Sequence, residues 1–170
     1  MIEKRGDIFK YILRNPCDGL FITTNGFVKS NGECVMGRGI AKQISTIDPT
    51  IPRLLGSKIK RNGNIVQYIK NYKHIKLYSF PVKPDSQLYN GYNTVSHMDS
   101  KFNIGDTVPG WACLADLSII KESVEELQQL TLSGAQYIIP RPGCGAGELV
   151  WSDVKPILQE LDDRFIVMTY

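Results

Sequence analysis

The feature that most constrains this chain is a repeated exchange between short apolar runs of strand length and longer segments of helical period. Gly19-Leu20-Phe21-Ile22-Thr23-Thr24 is a continuous buried-strand run that stops at Asn25-Gly26. Gly39 to Ile47 reads as a helix after a glycine turn, and Pro52 to Lys60 as another, closed by Asn62-Gly63. Ile65 to Ile69 and Ile75 to Phe80 read as strands, with Asn71-Tyr72-Lys73 as the turn between them. Leu114, Leu117, Ile120, Val124 and Leu127 recur every three or four residues, one apolar face of a helix that Ser133-Gly134 ends. Tyr137-Ile138-Ile139 is a strand. Val154, Ile157, Leu158 and Leu161 mark a last helix, and Phe165 to Met168 a last strand. Strands that are apolar on both sides need cover on both faces, so the expected class is α/β, a central sheet between helical layers. In such sheets ligands sit at the carboxyl ends of strands, which directs attention to the loops that follow them.

Two of those loops are rich in glycine. Val35-Met36-Gly37-Arg38-Gly39-Ile40-Ala41 precedes a helix, where amide groups and the positive end of the helix dipole favour phosphate. Arg141-Pro142-Gly143-Cys144-Gly145-Ala146-Gly147-Glu148 has three alternate glycines, whose successive N–H groups can form an anion-binding nest. Either loop alone is more often a plain tight turn. The second lacks the spacing of the dinucleotide fingerprint, and no phosphate-binding P-loop motif is present. Two such loops after two strands point to a diphosphate held between them.

Composition excludes other classes. The formal net charge of +3 is too mild to imply nucleic-acid binding, yet suits a local anion site. Cys17, Cys34, Cys113 and Cys144 have no metal-ligand spacing and no histidine cluster, so neither a metal site nor a disulfide framework is expected. The first residues hold no apolar signal core, and no apolar run approaches the roughly 20 residues of a membrane helix. A cytoplasmic monomer without a cofactor, with no membrane partner, is expected. Pro81 to Gly110 is the least regular stretch, and a loop of that length is usually functional or disordered. Its Tyr89, Tyr92, His97, Lys101 and Phe102, with Trp111 just beyond, could stack a base or form a lid. The plainer expectation is an ordered loop pinned down by its aromatics.

In order along the chain, Gly6-Asp7-Ile8-Phe9, Ile22-Thr23-Thr24-Asn25 and Val35 to Gln43 resemble the first half of a macrodomain. Phe80-Pro81-Val82-Lys83 and Pro140 to Trp151 resemble the second half. The resemblance covers about residues 2 to 170 apart from the 84–110 loop. It is strongest to the branch of DNA ADP-ribosyl glycohydrolase antitoxins and ADP-ribosyl-carboxylate hydrolases. It implies one three-layer α/β/α macrodomain over residues 1–170, with a central mixed sheet that binds ADP-ribose.

The resemblance also implies roles. Asp7, beside Ile8, would accept from the adenine amino group, although a turn or cap aspartate reads the same way. Asn25, after Thr24, would reach the distal ribose; it also spells an Asn-Gly turn. Val35 to Ile40 would wrap the distal ribose and phosphate around Gly37 and Gly39. Arg141 and the Gly143 to Gly147 backbone, including Gly145 and Ala146, would hold the diphosphate. Cys144 is expected only to pack. Lys83 occupies the position of this branch's catalytic lysine, where it would attack C1″ or stabilise charge there. On composition alone it would be a solvated surface lysine. Glu148 is a candidate general base, or a surface carboxylate. The carboxylate hydrolases carry aspartate where this chain has Gly147, which favours the antitoxin side.

Three functions are compatible with these residues. The first is hydrolysis of an ADP-ribosyl linkage, with Lys83 reactive, Asn25 orienting the ribose, and nucleic acid, protein or a metabolite as carrier. The second is an ADP-ribose-1″-phosphate phosphatase, for which His97 is a conceivable helper. The third is a non-catalytic module that binds or sequesters ADP-ribose derivatives.

Overall fold

The computed structural model describes residues 1–169. The elements run β1 (Ile2–Arg5), α1 (Ile8–Arg14), β2 (Gly19–Asn25), α2 (Gly39–Ile47), α3 (Ile51–Asn62), β3 (Tyr68–Tyr72) and β4 (Ile75–Lys83). They continue with β5 (Ser86–Leu88), β6 (Thr107–Pro109), α4 (Leu117–Leu130), β7 (Tyr137–Pro140), α5 (Trp151–Leu158) and β8 (Phe165–Thr169). Six strands form one mixed sheet in the order β1-β8-β7-β2-β4-β3. Every neighbouring pair is parallel except β3 and β4.

The two-residue period of the strands divides their side chains between two cores. On β2, Leu20 and Ile22 meet Ile8, Ile12, Ile44 and Leu55 of α1, α2 and α3. Phe21 points the other way, onto Ile120, Val124, Val154 and Leu158 of α4 and α5. Its ring stacks on Tyr78 at 5.0 Å and meets Phe80 edge-on at 6.3 Å. Each such fully buried side chain contributes about 1.5–3 kcal/mol. The sheet is thereby clamped from both faces.

Some boundaries differ from the sequence expectation. Tyr72 pairs with Ile75, so the β3–β4 turn falls on Lys73 and His74 rather than on Asn71 to Lys73. Gln67 keeps one backbone bond, accepting from Ser79 N at 2.9 Å, while Ile65 and Val66 are held by side chains in place of a ladder. The Ser79 hydroxyl donates to Ile65 O, and Glu126 accepts from the Val66 amide. The helix expected from Leu114 starts at Leu117, because Asp116 caps it by accepting from the Ser118 amide at 2.8 Å.

The irregular 84–110 stretch is ordered. β5 and β6 form an antiparallel ribbon, and Ser96–Lys101 a short 3₁₀ helix. Tyr89, Val95, Met98, Val108, Ala112 and Cys113 bury one another in a small core of their own. Gly110 locks this insert to the end of β4: a Cβ there would lie 1.8 Å from Pro84 O.

β2 leads to α2 on one face of the sheet, while β7 leads to α5 on the other. Between such strands the connections diverge and leave a crevice at their carboxyl ends.

Candidate functional site

The crevice is a cleft of about 610 Å³, within the usual range of about 300–1,000 Å³ for small-molecule sites. Both glycine-rich loops line it. Val35 to Ala41 forms one wall, and Arg141 with Gly143 to Gly147 forms the other. Ile8, Trp151, Thr24, Asn25, Lys83, His97 and Trp111 also line it, with Asn25 and Lys83 side by side on neighbouring strands and Trp111 bonded to Lys83. Of the residues expected at the site, Asp7 and Glu148 do not line it.

Each wall has a physical cause. Gly39 begins α2 at φ 56°, a left-handed conformation that glycine adopts without strain. The first amides of that helix have no intrahelical acceptor and are available to an anion. In the opposite wall, Gly143 sits at φ 72°. The backbone then folds back so that Leu149 N donates to Gly143 O at 3.0 Å. Between them, the amides of Cys144 to Gly147 make no hydrogen bond to any described residue. Gly147 is demanded by the loop itself. A Cβ there would lie 2.5 Å from Gly143 O and 2.6 Å from the Ala115 Cβ.

Lys83 ends β4 and is only 7% exposed. Its Nζ donates to Ala146 O at 2.9 Å and to Trp111 O at 3.3 Å. Burial pushes its pKa down to about 8, with Cys113 and Glu148 working the other way and Arg38 adding to the drop. Two of three ammonium protons are engaged, which leaves one position on the nitrogen uncommitted. Asn25 lies opposite Lys83 in the ladder. Its Nδ2 donates to Val35 O at 2.8 Å, and its Oδ1 accepts from Phe27 N at 3.0 Å. Asn25 thus fixes the start of the first loop. Beside it, Thr24 Oγ1 is buried with no hydrogen-bond partner among the described residues.

Two residues have structural duties, of which the cap role of Asp7 is one of the two readings its sequence allows. Asp7 caps α1, accepting from the Lys10 amide at 3.0 Å. Glu148 sits at φ 61° and turns its carboxylate to the insert, accepting from the Ser96 amide and, at 2.6 Å, the Ser96 hydroxyl. These bonds hold its carboxyl below the ordinary value. A second tie joins the insert to the other wall, where Arg38 Nη2 lies 3.1 Å from His97 Nε2. The insert therefore touches both loops. Sequence reasoning gave Ser96 no role, since 52 residues separate it from Glu148.

Cys144 donates weakly to Pro142 O and packs on the second core, and burial raises its pKa. Arg141 pairs with Glu3 at 3.1 Å and stacks on Trp151 at 4.5 Å. Among the described residues, no three His, Cys, Asp or Glu side chains are grouped to hold a metal ion. None of their helices is long and apolar enough to cross a membrane.

No family model matches the sequence, and a search of curated proteins finds no match. Solved structures do match. The macrodomain of Mycobacterium tuberculosis DarG aligns over 98% of this chain and 96% of that one, with a TM-score of 0.62 at 20% identity. The macrodomain of Thermus aquaticus DarG aligns over 99% and 97%, with a TM-score of 0.65 at 19% identity. The chain has the macrodomain fold. Thermosipho africanus DarTG, solved in complex with ADP-ribose, matches 98% of this chain over 41% of its own length, with a TM-score of 0.64 at 17% identity. The six-stranded mixed sheet between two helical layers is the architecture that the resemblance implied.

Proposed function

We propose that the cleft binds ADP-ribose and that the protein hydrolyses an ADP-ribosyl linkage at C1″. The free amides of Cys144 to Gly147 and the α2 N-terminus face one diphosphate from two sides. The adenosine lies toward Ile8, and Asp7, just outside the lining, keeps a carboxylate lone pair beyond its helix cap with which to accept from the adenine amino group. The distal ribose lies toward Asn25 and Lys83. The solved complex of Thermosipho africanus DarTG with ADP-ribose supports this ligand.

The observation that carries the hydrolytic reading is the buried amine of Lys83, poised near pH 8 beside the diphosphate wall. Two roles fit it. As a nucleophile, neutral Nζ forms a bond to C1″ while the bond from C1″ to the carrier breaks. The carrier leaves with that electron pair and takes up a proton; water then cleaves the lysine adduct. As a cation, Lys83 stabilises charge while water attacks. A panel of ADP-ribosylated DNA, RNA and protein, together with ADP-ribose-1″-phosphate, tests the proposal. At least one glycosidic substrate should release ADP-ribose with the wild-type protein. Lys83→Ala should abolish release while ADP-ribose still binds by calorimetry. Unchanged turnover in that variant would remove Lys83 from the mechanism.

One observation favours a second reading. The two carbonyl acceptors of Lys83 would suit a lysine that only braces the wall. A pure binder would return every ligand of the panel intact after long incubation. Phosphate release alone would select the phosphatase reading, with His97 at the cleft.

A further inference from the structure

The net charge of +3 conceals a strong segregation. Residues 49–84 hold eight lysines and arginines and no aspartate or glutamate. The rest of the chain has twelve cations against seventeen carboxylates, a formal −5 against +8. This basic segment is α3, β3 and β4, which are contiguous in space: β3 is the edge of the sheet, and α3 packs over it. Apart from Lys83, its cations lie on the surface.

Lys60 and Arg61 are exposed in the last turn of α3, and Arg53 two turns earlier. Lys58 Nζ lies 5.8 Å over the ring of Tyr68, itself 41% exposed on β3. Lys73 and His74 are exposed at the far end of that edge. Among the described residues, only Lys70 of this surface set is ion-paired, with Asp48 at 2.6 Å. Glu126, at its border, is occupied by the Val66 amide. Edge-strand lysines alone would be explained as protection of an open sheet edge. That explanation does not reach the cations of α3, which are not on the edge.

The helix also adjoins the cleft. Asn64, just past α3, donates from Nδ2 to Lys83 O at 2.9 Å. The basic surface therefore starts beside the strand end that carries Lys83 and runs outward along the sheet edge.

We propose that this α3–β3 face binds the phosphodiester backbone of nucleic acid. Unpaired cations with little local acid supply the sequence-independent part of such binding, and a tyrosine with a neighbouring cation suits an unstacked base. The surface lies outside the cleft and does not depend on the hydrolytic reading. Where both hold, the face grips the carrier strand while the modified group enters at Lys83.

The test is fluorescence anisotropy with an unmodified, labelled 20-nucleotide DNA, single-stranded and duplex, over a salt series. The wild-type protein should bind at low salt, with log K falling linearly against log salt. In Lys60→Glu/Arg61→Glu, affinity should fall by about tenfold or more, and the salt slope should shrink by roughly one to two. Lys73→Glu should weaken binding less, and Lys121→Glu on α4 should leave it unchanged. Calorimetry with ADP-ribose should give the same affinity in all three variants, which shows the fold intact and separates this surface from the cleft. Equal DNA affinity in Lys60→Glu/Arg61→Glu would overturn the proposal. So would binding to phosphatidylserine vesicles with none to either DNA.

Discussion

The amine of Lys83, at the end of β4, is hydrogen-bonded at 2.9 Å to the carbonyl oxygen of Ala146, at the heart of the glycine loop after β7. One contact thus joins the amine proposed to react to the wall proposed to hold the diphosphate. It also buries a lysine whose charge has no carboxylate at bonding distance, which is why its pKa falls to about 8.

That value gives the first prediction. Lys83 gains stability from deprotonation: its ordinary pKa is 10.5 and its folded value about 8. Between those two values the unfolded chain holds more protons, so folding stability should rise with pH through this window. Lys83→Met should flatten that rise in chemical denaturation series run from pH 7 to 10. In the active protein, kcat/KM should climb through an apparent pKa near 8 if the neutral amine attacks C1″, and decline there if the ammonium stabilises charge.

Gly147 tests the fold of the wall. Gly147→Asp sets a Cβ against Gly143 O and Ala115, so the loop must move. ADP-ribose affinity should drop at least tenfold, read by calorimetry. Gly145→Ala, at a position with open space around it, should keep the fold and alter affinity far less.

Gly39 tests the opposite wall. Gly39→Ala forces a side chain into φ 56° at the start of α2, a cost of about 1–2 kcal/mol. Denaturant midpoints should fall accordingly. Ala41→Gly, two residues into the same helix, should cost less, about 0.5–1 kcal/mol.

The insert is tied down by Glu148. Ser96 bonds hold that carboxyl below its ordinary 4.5, so the tie is complete above pH 4.5 and is lost as pH falls through the lower folded value. The Ser96 amide resonance should titrate with an acid midpoint below 4.5. Glu148→Gln should abolish that titration and speed proteolysis between Asn90 and Asp106. An unchanged Ser96 titration in Glu148→Gln would show the tie to be absent in solution.

Much of the site was legible because its chemistry is local. Gly37, Gly39 and Gly143 to Gly147 sit in short motifs, and two such loops after two strands, though neither alone, point to a diphosphate. The layers were legible because apolar period dictates burial, as with Leu20, Phe21 and Ile22 on alternate faces. What escaped depends on contacts between distant residues. The Ser96–Glu148 tie and the Lys83–Ala146 bond link positions 52 and 63 apart. The β1 and α1 elements escaped for another reason: β1 is exposed along its length, and only Ile8 and Ile12 of α1 are buried, too few for a periodic signal. The segregation of charge was hidden as well, because +3 averages a basic segment with an acidic remainder.

The central claim is that two glycine-rich loops close around one diphosphate. Titration calorimetry of the purified wild-type protein with ADP-ribose measures this directly. Saturable binding at one site per chain, weakened at least tenfold in Gly147→Asp, is the predicted result. An absence of heat up to millimolar ADP-ribose, or equal affinity in the two proteins, would contradict it.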